Sequence, residues 1–128
     1  MSTWNKETVE QAKKNLEGAE LKGLDLSGAD LKNANLISAN LVSANLSGSD
    51  LSGAKMFGAK AMRADLRNAN LSGASLLKAN FSRANFQESN LNDADIMGAN
   101  LSDTNLTKAS LIRTNLVEAN LLGVNLTG

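Results

Sequence analysis

From position 21 to position 126 a Leu or its substitute recurs at every fifth residue without a slip, giving 22 consecutive five-residue units over 19–128. This central slot is Leu in 17 of the 22 units; the exceptions are Met56, Ala61, Phe81, Phe86 and Ile96. Two residues earlier the slot is Ala in 16 units and small in most others, with Leu24 and Val124 near the two ends. Between these apolar slots lies Asn or Asp in 17 units. All ten Gly fall two residues after a centre, once Gly18 is counted as the tail of a degenerate unit around Leu16.

A period of five fits neither regular element. On an α-helix it advances about 140° per Leu and smears the leucines around the cylinder. On a continuous strand an odd period throws successive leucines to opposite faces. The pattern is consistent only with a chain that bends once per unit. Ala and Leu, two apart, point the same way from a short extended piece, and the following residues, rich in Gly, Ser and Asn, turn the corner. Bending repeatedly in one sense winds a tube, with Leu and Ala inside and the other three slots outside. Each coil then bonds to the next about 4.8 Å away, and small inner residues are required because a narrow tube has little room.

The A-(D/N)-L-x-x unit, repeated over 110 of 128 residues, resembles the pentapeptide-repeat family. The resemblance implies an all-β fold: a right-handed quadrilateral β-helix, four units per coil, hence about five and a half coils over those 110 residues. The residues themselves favour a repeat of 20. At that spacing Arg83 meets Asp103, Glu88 meets Lys108 and Asp93 meets Arg113, three opposite-charge neighbours, whereas a spacing of 15 sets Glu88 against Asp103. The smallest centre, Ala61, also falls directly under one of the largest, Phe81, which conserves volume in a close-packed interior.

The chain divides into a capping segment, 1–18, and a single repeat domain, 19–128. A helix is expected over 3–17: Thr3 or Asn5 can cap it, Val9, Ala12 and Leu16 share a face, and Gly18 suits its stop. Its job would be to cover the first coil and block an open edge, with Trp4 joining it as a structural plug. The other end carries no such segment, so Leu111, Leu116, Leu121 and Leu126 would leave an uncovered inner face. Some members of the family pair end to end through their C-terminal coils, and the resemblance implies the same homodimer here.

Function must lie on the outward slots. Sorting the residue after each centre by every fourth unit yields one column that is apolar in all five coils: Ile37, Phe57, Leu77, Met97 and Val117. The other three columns are mixed. Apolar stacking at a corner can simply support the ladder. The alternative is a stripe on the order of 20 Å long that contacts a protein partner. Lys55, Lys60, Arg63, Lys78 and Arg83 flank its middle, so a partner with apolar knobs and a negative rim would fit.

Charge and composition narrow the chemistry. Thirteen basic and thirteen acidic residues cancel, which argues against a general polyanion binder and against an acidic DNA mimic. The family's best-understood branch consists of dimeric DNA mimics that bind and protect DNA gyrase. That alternative asks for a long acidic surface, and this short neutral chain is locally basic at its middle. Nucleic-acid binding is not expected either, since no aromatic platform accompanies the basic band beyond Phe57. The absence of His, Cys and Tyr removes the commonest general base and thiol chemistry. No P-loop, zinc or calcium-repeat motif is present, and the Asp residues alternate with Asn of the same shape, which suits bonding to neighbouring backbone. No outward column is uniformly Thr, which argues against an ice-binding face. No catalytic residue, metal or cofactor is expected. With no apolar run of membrane-spanning length and no signal-like N-terminus, a cytoplasmic, non-catalytic protein whose partner is unknown is the expectation.

Overall fold

The structure, a computed structural model, describes residues 3–128. Eighteen isolated parallel bridges run from Glu20–Asn40 to Asn105–Asn125, and every one joins residues twenty apart. Twenty residues are four units, so the chain closes one coil per four units. Three backbone bonds per unit hold successive coils. Using the unit around Leu41, the Leu41 N–H donates to Lys60 O at 2.6 Å, the Ser43 N–H donates to Met62 O at 2.9 Å, and the Lys60 N–H donates back to Ala39 O at 2.9 Å.

Each unit also bonds within itself. The centre carbonyl accepts from the N–H three residues on, as from Ser49 N–H to Leu46 O at 3.1 Å. The third residue of that four-residue turn has positive φ in every unit from Gly18 to Gly128, at 55–60° for its thirteen non-glycine occupants. The residue before it never does, which defines a type II turn. The slot therefore admits Gly, Asn, Asp, Ser, Glu, Lys and Arg but no β-branched or aromatic residue. Because the turn and its flanks consume most of the unit, only one residue per unit enters each bridge. The expected all-β fold thus has, among the described residues, no strand longer than a single bridge.

Inside, the centres and their small partners form one continuous core from Val9 to Leu106. Ala61 and Phe81 are both fully buried, and the Ala61 N–H bonds to Asn80 O, which stacks them in one column. Phe81 leans on Phe86 with ring centroids 5.3 Å apart and planes at 56°. Polar replacements in the small slot fare unequally. The Ser49 and Thr104 hydroxyls donate to the carbonyls of Leu46 and Leu101, whereas the buried Ser89 hydroxyl has no partner among the described residues.

The N-terminal helix is shorter than the expected 3–17. Helix α1 spans Lys6–Gln11, capped by Asn5 in a reciprocal box with Thr8, and a 3-10 turn follows at Lys13–Asn15. It ends early because ladder bonding has already begun: the Leu16 N–H donates to Asn35 O, and Lys13 O accepts from the Asn35 N–H. Gly18 consequently serves as the first corner of the solenoid. Val9 is buried, Trp4 packs on the core, and Glu10 accepts from the Asp30 N–H at 2.7 Å, so α1 lies against the first coil.

At the opposite end the four leucines behave differently from every other centre. Leu111 and Leu116 are half-buried, while Leu121 and Leu126 are 38% and 57% exposed. The N–H groups of these four centres, which elsewhere donate to the following coil, have no partner among the described residues.

Candidate interaction surface

The slot before each centre does local chemistry. In all seventeen units with Asn or Asp there, the side-chain Oδ1 accepts from the backbone N–H two residues on. This Asx bond satisfies the one outward N–H that the ladder leaves free. Aspartates therefore serve the turn, and among the described residues no group of three carboxylates is placed to hold a metal ion.

Five units lack Asn or Asp at this slot: those with Glu20, Lys55, Lys60, Ser75 and Ser110. At Ser110 the defect is repaired, since Asn92 of the preceding coil reaches across and its Oδ1 accepts from the Ile112 N–H at 2.9 Å. At the other four nothing replaces the missing oxygen, and the N–H groups of Lys22, Phe57, Met62 and Leu77 have no partner in the chain among the described residues. Lys55 and Lys60 stand out in the sequence as departures from the repeat, but the N–H groups they strand become evident only once the Asx bond is seen.

The structure brings Ile37, Phe57, Leu77, Met97 and Val117 into one corner column. Successive members are tied through the turn residue, as in Ser38 N–H to Phe57 O at 2.9 Å and Gly58 N–H to Leu77 O at 3.0 Å. Phe57 is 46% exposed and Val117 57%; Met97 is also exposed, and Ile37 and Leu77 are half-buried. Two of the stranded N–H groups, those of Phe57 and Leu77, belong to this column. The next corner carries Val42, Met62, Ser82 and Ser102 with Arg63 and Arg83, around a shallow groove of about 390 Å³.

Lys55, Lys60, Arg63, Lys78 and Arg83 are all exposed, and none has an ion-pair partner within 4.0 Å among the described residues. Of the three charge pairs expected one coil apart, Asp93–Arg113 forms, at 2.6 Å. Arg83–Asp103 and Glu88–Lys108 do not close to ion-pair distance, because exposed long side chains gain little by ordering. Arg67 pairs instead with Asp65 of its own unit at 2.6 Å. The hydrogen bond from Arg67 holds the Asp65 carboxyl below its usual range, and Arg113 does the same for Asp93. Carboxylates occupy no outward column in more than two coils. No helix of the described residues is long and apolar enough to cross a membrane.

This geometry defines a solenoid protein built from five-residue units, four to a coil, with type II corners and an Asx-bonded outer surface. The family model described as pentapeptide repeats matches residues 15–60, 64–103 and 94–128, and the chain belongs to that family. Among solved structures it resembles the pentapeptide repeat protein Rfr23 of the cyanobacterium Cyanothece 51142, at 36% identity and TM-score 0.59 over 73% of this chain. The chain spans only 60% of Rfr23. A pentapeptide repeat protein of the Arabidopsis thaliana thylakoid lumen matches at 29% identity and TM-score 0.64, over 86% of this chain and 75% of that one. Trypsin-treated QnrB1, a plasmid-mediated fluoroquinolone resistance protein, matches at 22% identity and TM-score 0.52 over 88% of this chain and 62% of its own, a likeness of fold alone. Comparison with the curated proteins gives no match.

Proposed function

We propose that this chain is a non-catalytic, rigid protein-interaction module. Its form would be a right-handed four-sided β-helix of about five and a half coils (110 residues at twenty per coil) closed at one end by α1. The observation that carries this reading is the Ile37–Val117 column: the one outward column apolar in every coil, with Phe57, Met97 and Val117 exposed. Apolar side chains stacked on the outer surface of a protein mark contact sites. This column keeps them in register over five coils, where Ile112 and Leu122 stand singly among polar neighbours. The rigid ladder fixes its spacing, so a partner meets a preformed surface and loses less ordering entropy on binding. The test is a crosslinking pulldown comparing the parent with Phe57→Ser/Leu77→Ser. Both side chains point outward, so folding should persist while the captured partner is lost. An identical set of captured proteins would make the column a packing feature only.

DNA mimicry toward gyrase is the weaker alternative, since it needs a continuous acidic face and carboxylates here are dispersed. The exposed Leu121 and Leu126, with open N–H groups beside them, support a second contact: end-to-end pairing of two copies through Leu111, Leu116, Leu121 and Leu126. Light scattering on dilute protein tests it. A monomer mass at micromolar concentration rules the pairing out.

A further inference from the structure

We propose that the corner around Phe57 and Leu77 is a carboxylate-accepting site for an acidic, apolar-bearing peptide segment of a protein partner. The proposal rests on the reading of the apolar column as a contact surface and specifies what must accompany the apolar groups. In the seventeen units with Asn or Asp before the centre, the equivalent N–H is bonded by a side-chain oxygen at 2.9–3.2 Å. The fold thus states what chemistry fits a stranded N–H at this slot: an sp² oxygen approaching from outside the corner. The Ile112 unit shows that the oxygen need not come from the same unit, since Asn92 supplies it from another coil.

At Phe57 and Leu77 none of the described residues supplies it. Their N–H groups lie in adjacent coils, about 4.8 Å apart, so neighbouring acceptors on one extended segment could reach both. Three cations stand around them against one carboxylate, Asp95, which bridges to Ser75 from the next coil, and this balance favours an anionic acceptor over an amide. Lys55 stands in the slot where the missing side chain would be. Lys60 and Lys78 flank the corner, and neither has an ion-pair partner among the described residues. A carboxylate here would form charge-assisted bonds to backbone N–H, stronger than the neutral Asn bonds they replace. The exposed Phe57 ring and the half-buried Leu77 side chain would take apolar residues two positions from the acidic ones, which face the same way on an extended segment.

Ser75→Asn isolates the claim, because it restores the in-chain acceptor for the Leu77 N–H without changing charge, and seventeen units already fold with such a residue. A random-peptide phage library is selected on the intact chain, and the enriched peptides are measured by fluorescence anisotropy. Enriched peptides should combine Asp or Glu with aromatic or aliphatic residues and weaken as salt rises. Ser75→Asn should weaken them about tenfold and Ser75→Ala less than twofold, with Lys55→Gln adding a further several-fold loss. In Ser75→Asn the Leu77 amide should exchange more slowly. Failure to enrich any peptide, enrichment of neutral or basic ones, or equal binding to Ser75→Asn and the parent overturns the proposal, as does equal displacement by a short DNA duplex. Loss with Phe57→Ser/Leu77→Ser but not with Ser75→Asn would overturn the acceptor site alone and leave the apolar column standing. The reverse pattern would remove the column instead.

Discussion

Ala61 is the one centre without a large side chain, and a consensus argument would replace it with Leu to strengthen the core. The structure predicts the opposite. Phe81 lies one coil away in the same inward column, both residues are fully buried, and Phe81 also packs on Phe86. Ala and Phe together carry as many side-chain carbons as two leucines, so the column is already filled to the level of its Leu–Leu neighbours. Ala61→Leu forces about three extra carbons into that space and should cost roughly 1–3 kcal/mol. Phe81→Leu removes as many, worth about 2.4 kcal/mol at 0.8 per methylene. Losing the ring contact with Phe86 adds about 1 kcal/mol.

The double variant restores the volume and should cost only about 2 kcal/mol, mainly the lost ring pair and imperfect fit. Against a sum near 5 for the singles, the coupling is about 3 kcal/mol in favour of the double. The assay is urea denaturation followed by far-ultraviolet circular dichroism, since the only Trp sits on the N-terminal cap and would miss these coils. Slopes must match among the four proteins, because repeat arrays can unfold piecemeal. Strict additivity of the singles would refute the volume argument, and stabilisation by Ala61→Leu alone would show that the space was empty.

Three further outcomes follow from local features. Gly73 has φ +66° and open space at its Cβ position, so Gly73→Ala should cost about 1 kcal/mol from backbone strain alone, while Glu88→Gly at φ +60° should be neutral or slightly stabilising; thermal melts compare them. Ser89→Ala removes a buried hydroxyl that bonds to nothing and installs the residue usual at that slot, and should raise stability by about 1 kcal/mol in urea titration. Asp65 has its folded pKa lowered, chiefly by the Arg67 hydrogen bond. Its stabilisation is therefore fully present above the unfolded value of about 4 and disappears as pH falls through the folded one. Asp65→Asn keeps the acceptor for the Arg67 backbone N–H but not the charge. Its denaturation midpoint should therefore fall less than the parent's between pH 5 and pH 2.5.

The inner surface of this molecule was legible because two slots per unit are constrained by volume, and volume leaves a direct record in residue type. The twenty-residue register could be read from Ala61 and Phe81 and from Asp93 with Arg113, which do pair. Arg83 with Asp103 and Glu88 with Lys108 share the same register without pairing, since surface charges are not obliged to close. The sequence extends the helix to 3–17 because Val9, Ala12 and Leu16 satisfy a helical spacing, whereas α1 stops at Gln11. Nothing local shows that Leu16 already bonds to Asn35, a contact set by the following coil. The turn type was hidden for a related reason: thirteen of its positive-φ positions carry residues other than Gly, so composition alone marks only part of the pattern.

Four of the five slots answer to the fold. The centre and the small slot fill the core, the Asn/Asp slot satisfies an N–H, and the turn slot takes positive φ. Only the residue after each centre is free of such demands, which is why its variation can carry information about a partner. Departures at a constrained slot are more telling, since each leaves a measurable defect unless something compensates. Ala61 is compensated by Phe81 from within, and Ser110 by Asn92 from the neighbouring coil. Glu20, Lys55, Lys60 and Ser75 are not compensated by any of the described residues, and the open N–H groups they leave, those of Lys22, Phe57, Met62 and Leu77, fall at two neighbouring corners. A donor that the chain bonds in one place and leaves open in another, beside exposed apolar groups and cations without an ion-pair partner among the described residues, is free to bond either water or an incoming acceptor. The Ser75→Asn comparison separates the two.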